Sequence, residues 1–121
     1  MSSTTRTRLA SVGFALAGLR SLLESEPNAR IHFGATVAVV AAGLLLRLTA
    51  LEWCALVAAM SLVWLAEALN TAIETLCDLV HPEQHPLVGR AKDVAAAGVL
   101  AAAMGAAVIG VLVFGPRLWR A

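Results

Sequence analysis

Polar and apolar positions along this chain fall into a repeating helical pattern. Leu9, Val12, Leu16, Leu19 and Leu23 recur at spacings of 3, 4, 3 and 4, which predicts an amphipathic helix over about residues 9–24. Arg6, Arg8 and Arg20 flank or punctuate it, and that basic edge suits a helix lying on a membrane surface. A helix packed in a bundle is the other reading. Ser25-Glu26-Pro27-Asn28 interrupts the pattern. Proline is tolerated in a first helical turn, so a second helix is expected from about residue 28 to 48, with an uncharged core from Phe33 to Leu46. Thr49 to Glu52 reads as a tight turn. A third helix is expected over about 52–80, opening with the uncharged run Trp53 to Ala66. The prolines and glycine of His81 to Arg90 read as a loop. The last helix is expected over about 92–115, carrying 22 uncharged residues from Val94 to Gly115 and ending at Gly115-Pro116.

These runs are long enough to cross a bilayer, which needs roughly 20 apolar residues per helix. The first is short, and His32 and Arg47 at its ends can snorkel to the interfaces. Composition points the same way. Of 121 residues, 60% are hydrophobic and 14% charged, with mean hydropathy +0.81, more apolar than a soluble domain. The expected architecture is therefore all-α and integral to a membrane, in one unit spanning residues 1–121. The net charge of +1 gives no basic surface for nucleic acid, and no nucleic-acid motif is present. No cleaved signal peptide is expected. Cys54 and Cys77 share one predicted helix about 35 Å apart, beyond disulfide reach. Ala97, Ala101 and Gly105 recur at a spacing of four and predict close helix packing, between subunits as well as within one.

Arg6, Arg8, Arg20, Arg30, Arg90 and Lys92 fall on one side of three spans, and Arg47, Arg117 and Arg120 on the other. The positive-inside rule then places the N-terminus, the far end of the third helix and the proline-rich loop in the cytoplasm.

That far end carries the chemistry. Glu67, Asn70, Thr71, Glu74 and Asp78 lie within an arc of about 100° on one helix face. A carboxylate at the bilayer centre costs about 2.5–3.5 kcal/mol on insertion scales, so the stripe implies a cation, a proton path or a water-filled site. Glu26, Glu74 and Lys92-Asp93 converge on the same predicted membrane edge. Hard oxygen ligands there suit Mg²⁺, which usually takes one or two carboxylates plus substrate phosphates. Lys92 is the sole lysine among nine basic residues. No phosphate-binding loop of the G-x-x-x-x-G-K-[ST] type is present.

Together these residues resemble a known family. Glu67-Ala68-Leu69-Asn70-Thr71-Ala72-Ile73-Glu74 with Asp78, His85-Pro86-Leu87, Ala91-Lys92-Asp93-Val94-Ala95-Ala96, Gly18-Leu19-Arg20 and Glu26-Pro27-Asn28-Ala29-Arg30-Ile31-His32 look like the prokaryotic diacylglycerol kinase family, over about residues 9–116. The resemblance implies a homotrimeric enzyme of the bacterial inner membrane, with a surface helix and three transmembrane helices per subunit. Its active site would face the cytoplasm and pass the γ-phosphate of ATP to the hydroxyl of a membrane lipid. It implies Glu67 as general base, and Glu26 and Glu74 as holders of the Mg²⁺ that bridges the ATP phosphates. Lys92, Asp93 and the Glu83-Gln84-His85 stretch would contact nucleotide, Asn70 and Asp78 would orient the site, and Phe14 takes the place of the family's aromatic residue near the surface helix, with Arg20 in support. The family's basic residue near the start of that helix falls here on Thr7, between Arg6 and Arg8. Arg30-Ile31-His32, Glu52-Trp53, His85-Pro86-Leu87 and Asp93-Val94-Ala95-Ala96 look like the undecaprenol kinase branch. Gly89-Arg90-Ala91-Lys92-Asp93 looks like the diacylglycerol kinase branch. Undecaprenol is favoured as acceptor.

Each residue also has a plainer reading. Glu67 reads equally as a structural carboxylate bonded across a subunit seam. Glu26 reads as a charge at a helix N-terminus, His32 as an interfacial anchor, and His81 and His85 as loop residues without a third zinc ligand. A small oligomeric transporter also places carboxylates on a transmembrane face, and a non-catalytic assembly subunit is a third possibility.

Overall fold

A computed structural model describes residues 2–120, with side chains described from Thr7 to Arg120. Arg6 lies outside the described side chains. Four helices make up the chain: α1 (Ser2–Ser25), α2 (Pro27–Leu46), α3 (Ala50–Val80) and α4 (Pro86–Arg120). No strand occurs among the described residues, so the all-α expectation holds. The polar residues before Leu9 add nothing to the apolar repeat, yet they do not break a helix, and α1 starts earlier than the pattern predicts.

Local chemistry sets each boundary. Glu26 is the N-cap of α2 and Pro27 its first residue, where the missing N–H would have lacked a helical partner anyway. α2 ends at Arg47, whose φ of 54° puts it in the left-handed region, with its N–H bonded to the Gly43 carbonyl. Thr49 caps α3 rather than forming a turn with Glu52. The Glu52 amide donates to Thr49 Oγ1 at 3.2 Å, and the Thr49 amide donates to Glu52 Oε1 at 3.0 Å, a reciprocal capping box.

Two expectations at the ends of α4 are corrected. The loop after α3 is shorter than predicted because Pro86 begins the next helix instead of breaking one. The helix also runs through Pro116 to Arg120. Proline removes one backbone hydrogen bond, but spanning helices accommodate that loss by local adjustment.

The helices α2, α3 and α4 are each long and apolar enough to cross a membrane. At 31 residues, α3 is about 46 Å long, well beyond the roughly 30 Å hydrocarbon layer, so its last turns emerge on one side. Pairing of the termini defines the topology. Lys92 near the start of α4 meets Asp78 near the end of α3, and Arg117 near the end of α4 meets Glu52 near the start of α3. The two helices are therefore antiparallel. α2 runs antiparallel to α3 as well: Trp64 Nε1 donates to Thr36 Oγ1 at 3.0 Å, and the Trp53 ring covers Gly43. A Cβ at Gly43 would lie 2.6 Å from that ring, so only glycine admits it. Arg30 joins α1 to α2 by donating to the carbonyls of Leu23 at 2.9 Å and Glu24 at 2.6 Å.

Burial follows helical stripes. On α4 the sheltered positions are Ala95, Val99, Ala102, Ala106, Ile109 and Val113. The Ala97, Ala101 and Gly105 stripe is exposed instead, and a Cβ at Gly105 would meet nothing within 4 Å. The tight packing expected there does not occur within the chain. The bulkier stripe one face away takes the intrachain contact. Large residues such as Leu45, Leu51, Val111 and Leu112 are 68–82% exposed, as a lipid-facing surface requires.

Candidate functional site

On α3 the buried positions Leu56, Ala59 and Val63 lead directly into Glu67. The polar arc seen in the sequence is thus the continuation of the helix's packed face. The opposite face, Leu69, Ile73 and Leu76, is 37–60% exposed. Glu67 is only 1% exposed and is the one fully buried large side chain among the described residues.

Its environment is incompletely satisfied. Oε2 of Glu67 is buried without a hydrogen-bond partner, as are Oδ1 of Asn70 and Oγ1 of Thr71. An unsatisfied buried polar atom costs about 1–3 kcal/mol. Three such atoms within residues 67–71 mark this turn as a place prepared for something other than packing. Thr71 is informative by contrast with Thr36 and Thr75. Their hydroxyls donate to the carbonyl four residues back, at 2.7 and 2.8 Å, while the Thr71 hydroxyl is buried without a partner; Thr71 is one of the residues around a largely apolar cavity of about 770 Å³ among α1, α2 and α3, beside Phe33 and Trp64.

The remaining carboxylates lie along the same line. Glu74 lies two turns past Glu67 on α3, and Glu26 stands at the start of α2, six residues before His32. The His32 Nε2 is 3.6 Å from Glu67 Oε2, facing it but beyond hydrogen-bond distance. Asn70 Nδ2 donates to Glu74 Oε1 at 3.3 Å. Lys92 Nζ donates to Asp78 Oδ1 at 2.5 Å, and the charge of Glu74 acts on Lys92 too. Glu26 caps α2 by its backbone only, with no side-chain capping bond, so its carboxylate is not consumed by the helix end. From Glu67 the line runs through Asn70 and Glu74 to Lys92 and Asp78, rising about 10 Å from Glu67 to Glu74.

Beyond Lys92 the site opens. Glu83, Gln84 and His85 are exposed and line, with His81, Gly89 and Lys92, an open cavity of about 620 Å³. His85 Nδ1 accepts from the Leu87 amide at 3.1 Å, His81 Nδ1 lies 2.9 Å from the Glu83 carbonyl, and the two rings stand edge to face with centroids 5.2 Å apart. Asp93 is exposed at the first turns of α4. Two sequence candidates stand apart from this line in the chain. Phe14 is 76% exposed on α1, and Arg20 forms an exposed pair with Glu24 at 2.8 Å.

His32 and Arg30 do more than the sequence reading gave them. His32 belongs to the sheltered stripe of α2 (Ala29, His32, Thr36, Val39), and its 3-4-3 spacing was the signal that it points inward. The role of Arg30 depends on the break at Glu26-Pro27 folding α1 back beside α2, which no periodicity reveals.

A bundle of apolar spanning helices carries a buried carboxylate that leads to a lysine and an open polar cavity, an arrangement suited to a membrane-embedded enzyme. The profile described as prokaryotic diacylglycerol kinase matches residues 13–114, and the chain belongs to that family. It is 37% identical to an undecaprenol kinase of Bacillus subtilis over 101 residues, covering 84% of this chain and 82% of that one. It is 41% identical to a diacylglycerol kinase of Synechocystis over 103 residues, covering 84% and 59%, and 36% identical to a diacylglycerol kinase of Escherichia coli over 90 residues, covering 74% of each. The protein is a lipid kinase of the membrane, and the transporter and assembly-subunit readings are set aside.

Proposed function

We propose that this enzyme transfers the γ-phosphate of ATP to the hydroxyl of a membrane lipid alcohol, with undecaprenol preferred over diacylglycerol. The observation that carries the reading is the buried Glu67 carboxylate with an unpartnered oxygen, at the deep end of a polar line that surfaces at Lys92 and an open cavity. A lipid hydroxyl is a poor nucleophile, and a base within hydrogen-bond reach speeds its attack by about 10²–10⁴. Glu67 serves as that base, one residue before Ala68 and one turn before Thr71, both of which line the apolar cavity. Phosphoryl transfer otherwise needs positioning and charge neutralisation, which Lys92 supplies toward the phosphates, with Asn70 orienting Glu74 and Asp78 holding Lys92.

Mg²⁺ fits this donor set. No group of three His, Cys, Asp or Glu side chains able to hold a metal gathers among the described residues, so a closed protein cage is not offered. Glu26 and Glu74 instead provide the one or two carboxylates that Mg²⁺ takes when nucleotide phosphates and water complete its shell. Bound there, the ion would neutralise charge on the triphosphate. Glu83, Gln84, His85 and Asp93 would border the nucleotide, and Phe14 and Arg20 would approach from α1. A homotrimer in the bacterial inner membrane, with the site facing the cytoplasm, accords with the excess of basic residues at the acidic end and with the uncovered Ala97, Ala101 and Gly105 stripe, where small residues let helices of neighbouring subunits approach.

The preference for undecaprenol is supported by the likeness to the Bacillus subtilis enzyme along most of both chains. Purified protein in mixed micelles, given γ-labelled ATP, Mg²⁺ and either undecaprenol or diacylglycerol, tests it. Faster labelling of undecaprenol is expected. Faster labelling of diacylglycerol reverses the acceptor assignment, and no labelled lipid with either alcohol removes the proposal.

A further inference from the structure

We propose that the end of the bundle opposite the acidic site holds the phosphate headgroup of a membrane lipid. Arg117 and Arg120 line a cavity of about 180 Å³ together with Glu52, Leu112, Val113 and Pro116. Arg117 binds Glu52 through one of its terminal nitrogens, yet its Nε–H is buried with no acceptor. Arg117 thus borders the cavity with one donor unanswered, and the two guanidinium groups there outnumber the single carboxylate. An incoming anion would answer both deficits.

The position selects the ligand. The cavity lies where the spanning helix α4 ends, the level at which headgroups lie and where interfacial tryptophans collect. Trp119, 92% exposed, sits in the same turn. Leu112, Val113 and Pro116 border the charged groups of the cavity, and Leu112, 69% exposed, carries an apolar surface outward to the lipid, giving acyl chains a path alongside the protein. Guanidinium N–H groups match phosphate oxygens in geometry as well as charge. The carbonyl end of α4 opposes an anion there, but that effect is confined to the last turn and screened by salt, whereas the guanidinium donors make direct charge-assisted bonds.

The test uses the full chain in detergent and native mass spectrometry. The probes are phosphatidylglycerol, a neutral galactosyl diglyceride of the same acyl chains, and inorganic phosphate. Wild-type protein is expected to retain phosphatidylglycerol over the glycolipid, and inorganic phosphate is expected not to displace it. Arg120→Gln, an exposed substitution that leaves the Glu52–Arg117 pair in place, should lower the retention ratio by roughly fivefold, the effect of one lost hydrogen bond. Arg90→Gln at the other end of the bundle should leave it unchanged. Arg117→Lys tests the Nε donor directly and depends on the variant folding, which Arg120→Gln does not. Equal retention of the two lipids, a ratio unmoved by Arg120→Gln, or an equal fall with Arg90→Gln overturns the proposal. Displacement by inorganic phosphate alone also overturns it, in favour of a free-anion site.

Discussion

Two regions of α3 solve the same problem in opposite ways. Each carries carboxylates beside a long apolar segment. In the first turn, Glu52 accepts from the Thr49 amide and is paired with Arg117, both side chains about three-quarters sheltered. That carboxylate is bound on two sides and belongs to the architecture: it caps α3 and ties it to α4. Just past the midpoint of α3, Glu67 is more deeply buried and yet unpartnered at one oxygen, with unpartnered atoms of Asn70 and Thr71 beside it. A fold that satisfies one buried carboxylate so fully could satisfy the other. That it does not separates groups that hold the bundle from groups the structure leaves unpartnered.

The contrast can be broken or sharpened by substitution. The largest effect belongs to Glu67. Glu67→Gln keeps the shape and removes the base, and turnover should fall by about 10²–10⁴ with little change in thermal stability. Glu74→Gln removes the charge of the proposed metal ligand, which also accepts from Asn70. Steady-state kinetics should show apparent affinity for Mg-ATP falling by roughly tenfold or more; unchanged affinity would assign that role to another residue. Gly43→Ala drives a methyl group into Trp53, 2.6 Å away. It should destabilise the α2–α3 contact by about 1–3 kcal/mol, read as a lower unfolding temperature, and an unshifted temperature would mean that the ring moves freely aside. Glu52→Gln in the satisfied first turn should lower the unfolding temperature slightly and leave kcat intact. A loss of turnover there would erase the distinction between the two regions. The smallest effect is a gain: Arg47→Gly relieves a left-handed residue at the α2 C-cap and should stabilise by a few tenths to about 1 kcal/mol.

Much of this could be read along the chain. The 3-4 repeat, the uncharged runs and the positions of proline gave the helix order and the three spans, because hydrophobic periodicity and length are local properties. The polar arc from Glu67 to Asp78 was legible for the same reason, since a single helix sets it. What depended on neighbouring helices was less so. The direction of the Ala97, Ala101 and Gly105 stripe is decided by competition with the bulkier stripe through Val99 and Ile109. The inward turn of His32 needs α3 beside it, and the pairing of Glu52 with Arg117 spans 65 residues. Pro86 and Pro116 illustrate a further limit. One starts a helix and the other lies within its last turns, and a proline signal alone does not separate these from a loop.

The central claim is that Glu67 does the chemistry while the groups further along α3 hold the nucleotide. Its most direct test is to measure turnover and Mg-ATP affinity on the same preparation of Glu67→Gln. The account predicts that phosphorylated lipid all but disappears while the Kd for Mg-ATP stays within about twofold of wild type, as expected when a proton acceptor is removed from an intact binding site. Sustained turnover, or affinity lost in step with it, would contradict the account.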